Sequence, residues 1–316
     1  MSERKSEQEI WKALKEDNTE KLEELSKSSD LSDQVWKAAL EAYLAFPEGD
    51  WNILVQIQKS NPTHFAPLFL LGRVYDQIGR PRRAYAFLCK AADLDVGYTD
   101  INWEIEIFNR YEWLEMVYLP KIQGFEDPGD AKAAEIYATA LDSIDKGQTD
   151  VAKNKLNKAL KLDSEAAAIW TDLGHIENNL GNFDASLEAY EKAKAVQAEK
   201  AVCWYNTGTV YFKLNKFEIA LSELKKSLEL DPDDPDTIYN TGLCYWNLDQ
   251  FAEAKTFFED CLFLVPDYLN ALFYMAKLQA REKEIEAARE KVRQMLELQP
   301  NWKNYFSKDA DLAPLI

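Results

Sequence analysis

Histidine is almost absent from this sequence: its 316 residues include two, His64 and His175. Neither stands with a Ser or Cys and an Asp in a spacing that builds a nucleophilic triad, so an enzyme is not expected. Cysteine is nearly as scarce. Cys89, Cys203, Cys244 and Cys261 show no CxxC or other metal-ligand spacing, which excludes a zinc or cluster motif and fits thiols used as small core residues in a reducing compartment. No GxxxxGK[ST] or GxGxxG occurs, so no phosphate cradle and no nucleotide cofactor is implied. Long apolar runs are missing as well. The most apolar short stretch, 65–71, contains Pro67 and falls far short of the roughly 18 residues of a membrane span. The first thirty residues hold no signal-peptide core, and Glu3, Glu7 and Glu9 argue against a presequence. A cytoplasmic location is therefore expected. Positive charge is also in deficit: 37 Lys and Arg face 55 Asp and Glu, a formal net charge of −18. Such a field disfavours nucleic acid and anionic membranes and favours a basic partner.

What the sequence has instead is a period. Gly174, Gly208 and Gly242 lie 34 residues apart, as do Phe183, Phe217 and Phe251, and Pro232, Pro266 and Pro300. A fixed period of this length marks a stacked repeat protein, in which each unit buries its apolar face only against its neighbours. From 133 to 302 the chain divides into five blocks, beginning at 133, 167, 201, 235 and 269, each reading as two amphipathic helices, A and B. In the block at 201, Trp204, Thr207, Gly208, Tyr211 and Leu214 recur at intervals of three and four on helix A, and Phe217, Ala220, Leu221, Leu224 and Leu228 on helix B. Short polar turns join them, at Gly181-Asn182, Asn215-Lys216 and Asp249-Gln250. Gly208 and Ala220 permit the two helices to approach closely. Pro232 stops helix B, and Asp234 with Pro235 forms a cap for the next helix.

These residues resemble the tetratricopeptide repeat, whose pattern is Trp, Leu-Gly, Tyr, Ala, Phe, Ala and Pro at repeat positions 4, 7–8, 11, 20, 24, 27 and 32. The block at 167 supplies Trp170, Leu173-Gly174, Tyr190 and Ala193. The next supplies Trp204, Gly208, Tyr211, Ala220 and Pro232, and the third Gly242, Tyr245, Ala254, Phe258 and Pro266, with Cys261 at position 27. The outer blocks keep Ala140, Ala152 and Ala159, and Ala276, Ala288 and Pro300. Upstream in the same register, 65–98 carries Leu71-Gly72, Tyr75, Ala84 and Ala91 and reads as a further repeat. The block 99–132 has the right length and the wrong contents, with Glu106 in place of glycine and Pro120 inside helix B; it is a degenerate repeat or a hinge. Residues 1–64 read as divergent helical hairpins, and 303–316 as a tail, with Trp302, Tyr305 and Phe306 covering the last repeat. The resemblance implies an all-α, right-handed superhelical solenoid of paired antiparallel helices.

The resemblance also implies a binding groove, lined by helix A positions 2, 5, 6, 9, 12 and 13. Those positions hold Asp172, Tyr205, Asn206, Thr209, Phe212, Tyr239, Asn240, Leu243, Trp246, Phe273 and Tyr274. Aromatic side chains there offer large contact area for little entropy. Asn206 and Asn240, one repeat apart, resemble the asparagine ladder that grips an extended backbone, since an amide both donates and accepts. The competing arrangement has the rings packing between neighbouring A helices and the asparagines satisfying adjacent polar groups. The clamp for a C-terminal carboxylate is not matched: Thr171, His175, Asp236 and Asn240 stand where it needs Lys, Asn, Lys and Arg, and only Asn206 agrees. Arg80, Arg82 and Arg83 form the densest basic cluster, at a helix turn. The expectation is a non-enzymatic adaptor that binds a peptide or helix of another protein, without metal or cofactor. Self-association of the repeats, or a small-molecule-binding or enzymatic site around His175 and Asp172, are the alternatives.

Overall fold

The computed structural model describes residues 9–10, 12–14, 16, 18–28, 33–46, 52–94 and 130–316. The expected degenerate repeat or hinge at 99–132 lies, but for its last three residues, outside them. The described residues are helical with no strand, and the chain separates into two compact units, Met1–Leu119 and Pro120–Ile316.

In the second unit five helix pairs follow one another: α6 Ala131–Asp145 with α7 Thr149–Leu160, α8 Ala167–Asn179 with α9 Phe183–Val196, α10 Ala201–Lys213 with α11 Phe217–Leu230, α12 Pro235–Asn247 with α13 Phe251–Leu264, and α14 Leu269–Arg281 with α15 Ile285–Leu298. Four of the five A helices begin on the first residue of their 34-residue block. Each pair meets at a small residue. A Cβ built on Gly174 would stand 2.4 Å from the Tyr190 ring, and one on Gly242 would stand 2.7 Å from the Phe258 ring. Both rings are buried, so the glycine is what lets α8 and α9, or α12 and α13, close on each other.

One backbone device ends every A helix of this unit. Gly147, Gly181, Asn215, Asp249 and Lys283, all at repeat position 15, take left-handed φ between 56° and 78°. The following amide then bonds back across the turn: Asn182 N to Glu177 O at 2.8 Å, Lys216 N to Tyr211 O at 2.9 Å, and Glu284 N to Gln279 O at 2.8 Å. This is the Schellman closure, which satisfies orphan helix carbonyls and turns the chain into helix B. Asp234 caps α12 by accepting from Thr237 N at 2.8 Å, with Pro235 at the first turn.

The tail closes the array. A 3₁₀ turn (Pro300–Trp302), a short helix α16 (Lys303–Phe306) and a second 3₁₀ turn (Ala313–Leu315) lay Phe306, Leu312 and Leu315 against Leu272, Ala276, Val292 and Met295. Lys277 ties it down through Asp309 at 2.8 Å and Asp311 at 3.3 Å. The cap therefore extends beyond the aromatic residues read from sequence; Phe306 is fully buried and Trp302 partly so.

In the first unit, α1 Thr19–Ser26, α2 Gln34–Leu44, α3 Asn52–Ser60, α4 Phe65–Gln77 and α5 Pro81–Leu94 pack around Trp36, Leu40, Leu54, Phe69, Leu70 and Leu71. Gly79 repeats the left-handed turn between α4 and α5. His64 serves the fold. Its Nδ1 accepts from Ala66 N at 3.2 Å, capping α4, while Nε2 meets Asp33 Oδ2 at 2.9 Å. Asp33 in turn caps α2 through Val35 N and Trp36 N.

Two substitutions test this reading by chemical denaturation. Gly174→Ala should lower stability by about 1–3 kcal/mol, because the Tyr190 ring must move. Lys283→Gly should raise it by about 1 kcal/mol, because a side chain is strained at that φ. No change in either variant would refute the close-approach and turn arguments.

Candidate functional site

Successive A helices lie side by side, so the groove positions are neighbours along one face. A recurring link joins position 5 of one repeat to position 6 of the next. The Tyr137 hydroxyl donates to Asp172 Oδ2 at 2.8 Å. One repeat further, Thr171 and Asn206 occupy the same two positions, and Thr171 Oγ1 and Asn206 Nδ2 are both buried without a hydrogen-bond partner. The short threonine replaces a tyrosine whose reach spans the interval elsewhere. At the third step Asn240 Nδ2 donates to the Tyr205 hydroxyl at 3.2 Å, and at the fourth the rings of Tyr239 and Tyr274 lie 6.3 Å apart. Parallel to this row, Lys213 Nζ donates to Asn178 Oδ1 at 2.9 Å.

The expected site residues fall into two groups. Asp172, Asn206, Tyr239 and Leu243 are buried, with Asn206 only 4% exposed. Tyr205, Thr209, Phe212, Asn240, Trp246, Phe273 and Tyr274 keep part of their surface in solvent. The asparagines do not form an open ladder that donates and accepts. Asn206 is enclosed, and Asn240 uses its Nδ2 donors on Tyr205 and on the Asp236 carbonyl at 2.8 Å, leaving Oδ1 as what it offers. This corrects the two-way amide grip expected at both positions. The back-bond across one helical turn turns the amide inward.

The rings pack sideways along the last two repeats and onto the tail. Trp246 meets Tyr274 edge-on at 5.0 Å, Phe258 stacks on Tyr274 at 5.3 Å, and Phe273 stacks on Phe306 of the tail at 6.3 Å. Tyr239 stands between Phe258 and Tyr268, whose hydroxyl donates to Asp236 Oδ1 at 2.8 Å. The Arg281 guanidinium covers Phe251 at 4.2 Å and Trp246 at 5.5 Å. The result is an amphipathic strip whose rings are held in place by each other.

At the other end, Asp172 is 7% exposed. Desolvation pushes its carboxyl above the usual range, against the opposing effects of the Tyr137 bond and the His175 ring, whose Nδ1 stands 3.9 Å away. His175 lies edge-on to Tyr190 at 5.5 Å. Burial pushes the Cys203 thiol up to about 11 and Cys244 up to about 12, so neither supplies a thiolate near neutral pH. Among the described residues no group of His, Cys, Asp or Glu is arranged to hold a metal ion, and no helix is long and apolar enough to cross a membrane. The basic cluster is tied to the ring of Tyr75, which Arg80 and Arg83 cover at 5.4 and 5.7 Å.

The position 5 to position 6 link was not read from the sequence, although pairs such as Tyr137 with Asp172 and Tyr205 with Asn240, each 35 residues apart, carried its signal.

Sequence models of the tetratricopeptide repeat match residues 66–95, 164–233 and 205–267. Among solved structures, a tetratricopeptide repeat protein from Parabacteroides merdae aligns at 21% identity and a TM-score of 0.52, over 59% of this chain and 74% of that one. A chain of MamA from Desulfovibrio magneticus RS-1 aligns at 18% identity and a TM-score of 0.50, over 54% and 97%. At these identities the likeness speaks to the fold alone. No curated protein sequence matches the chain.

Asp172 generates a test with a defined sign. A carboxyl whose folded pKa lies above its unfolded value binds a proton more readily in the folded state, so its contribution to stability falls as pH rises from the unfolded to the folded value. Asp172→Asn, which keeps an acceptor for Tyr137, should be more stable than the parent at neutral pH and should lose that advantage below pH 4. Urea denaturation at several pH values reads this, and an unchanged pH profile would contradict it.

Proposed function

We propose that this chain, a tetratricopeptide-repeat protein, is a non-enzymatic interaction scaffold that holds a peptide or helix of another protein in the groove formed by its A helices between 133 and 302. The observation that carries the reading is the strip of partly exposed rings and polar groups at Tyr205, Thr209, Phe212, Asn240, Trp246, Phe273 and Tyr274. Rings left partly in water favour a partner that covers them, and rings already fixed by their neighbours lose little entropy when it does. Asn240 Oδ1 and Thr209 supply polar contacts that orient the guest. The net charge of −18 favours a basic segment and disfavours nucleic acid.

Two observations weigh against the alternatives. The tail buries Leu272, Met295 and Phe306 together, so the apolar end of the last repeat is not left open for a second copy to stack upon. Around His175, the Asp172 carboxylate is engaged by Tyr137, and the Cys203 thiol of the following repeat is buried and protonated.

The test compares faces of the same molecule. Asn240→Ala with Thr209→Ala alters the groove, whereas Glu229→Lys alters an exposed position on α11. With partners isolated by affinity capture and quantified by mass spectrometry, the groove variant should retain the fold and lose about tenfold or more in affinity. Glu229→Lys should leave binding unchanged. Undiminished binding by the groove variant, with loss in Glu229→Lys, would move the interaction to the outer helices.

A further inference from the structure

We infer that Lys291, on α15 of the last repeat, is a nucleophilic amine that accepts an acyl group from a thioester. The residue lies at the crevice between helix A and helix B, apart from the groove, and the inference does not rest on the role proposed for that face.

Repeat positions 11 and 23 meet across a helix pair. Tyr245 stacks on Phe257 at 5.3 Å, and Tyr75 of the first unit stacks on Phe87 at 5.2 Å. In the block at 133 the same positions hold Ser143 and Lys155. There Lys155 Nζ donates to Ser143 Oγ at 2.8 Å and to the Thr139 carbonyl at 2.7 Å. The last repeat puts Gln279 and Lys291 at these positions. Neither satisfies the other. Gln279 Oε1 is buried without a hydrogen-bond partner, and Lys291 Nζ donates to Gln294 Oε1 of its own helix at 3.3 Å.

An ammonium in this setting is poorly held. Lys194, Lys255 and Lys277 of the same unit each bond a carboxylate, on Glu223, Glu282 and Asp309. Lys291 is only partly exposed, and among the described residues it forms no ion pair. Acids on its own helix and on the tail are engaged by other cations: Glu286 by Arg289, Glu290 by Arg293, and Asp309 and Asp311 by Lys277. Desolvation accordingly holds the amine below the usual lysine range. Such an amine presents a lone pair where an exposed lysine presents a hydrated ammonium. Nζ adds to the thioester carbonyl carbon; the C–N bond forms as the C–S bond breaks, and the sulfur leaves as thiolate. The proton shed by the nitrogen passes to that thiolate, and nothing is oxidised or reduced. The amide produced is neutral, so the crevice no longer holds a charge. In a chain of net charge −18, an uncharged thioester is a better donor than a polyanionic one.

The probe is S-acetyl-N-acetylcysteamine, an uncharged thioester, supplied in limiting amount to the full-length chain at mildly alkaline pH. Peptide mass spectrometry counts the acetyl groups at each lysine. Lys291 should react about threefold faster, or more, than the exposed Lys161 and Lys192, and the advantage should vanish in concentrated urea. Urea denaturation of two variants gives an independent reading. Lys291→Gln keeps an amide donor and drops the charge, so its midpoint should equal or exceed that of the parent. Lys291→Arg, whose guanidinium stays charged, should fall below Lys291→Gln. Acetylation of Lys291 no faster than that of Lys161, or an advantage that survives in urea, would overturn the assignment. So would a Lys291→Gln less stable than both the parent and Lys291→Arg, because the fold would then need the charge.

Discussion

The contact between helix A and helix B at a small residue, glycine in three of the five pairs, governs the second unit. Gly174 lies under Tyr190, Gly208 under Leu224 and Gly242 under Phe258, each so close that a Cβ would stand within 3 Å of the covering side chain. This approach fixes the crossing of each pair, and the Schellman turn at position 15 fixes the path between its helices. With both set the same way in each repeat, the A helices must line up, and position 5 of one must face position 6 of the next. The face that could hold a partner is thus a consequence of a packing constraint on its opposite side.

That face has two characters. Around Asp172 it is polar and enclosed, with a carboxyl that burial disfavours in its charged form. From Phe212 to Tyr274 it is aromatic and half open. The step between them, Thr171 and Asn206, leaves two buried polar atoms without partners, in a row whose neighbours are linked. Such groups cost free energy when buried alone, so this step is the least stabilised in the row. The tail adds to the aromatic end rather than to the polar one, since Phe306 and Trp302 both pack on Phe273.

Much of this was legible in the sequence because the period repeats every physical requirement. Small residues at position 8, a turn residue at 15 and proline at 32 each recur often enough to be separated from chance. What was not legible depends on single side chains. Lys283 takes a left-handed φ that its residue type disfavours, imposed by the helices on either side. Asn206 and Asn240 look alike in sequence; one is enclosed and the other bonds back to Asp236 and across to Tyr205, which is decided by neighbours on the adjacent helix. Leu312 and Leu315 of the tail lie outside the period, so no register marked them as core. The pairing of His64 with Asp33, two caps 31 residues apart, likewise has no sequence signature.

The central claim is that the face of successive A helices is where this protein meets its partner. Site-specific photo-crosslinking tests it most directly, with the crosslinking amino acid placed at Thr209, at Asn240 and, on an outer helix, at Lys226. The account predicts that Thr209 and Asn240 trap one and the same segment of one protein, at neighbouring residues of that segment, and that Lys226 does not. Adducts from Lys226 alone, or unrelated segments trapped from the two groove positions, would contradict it.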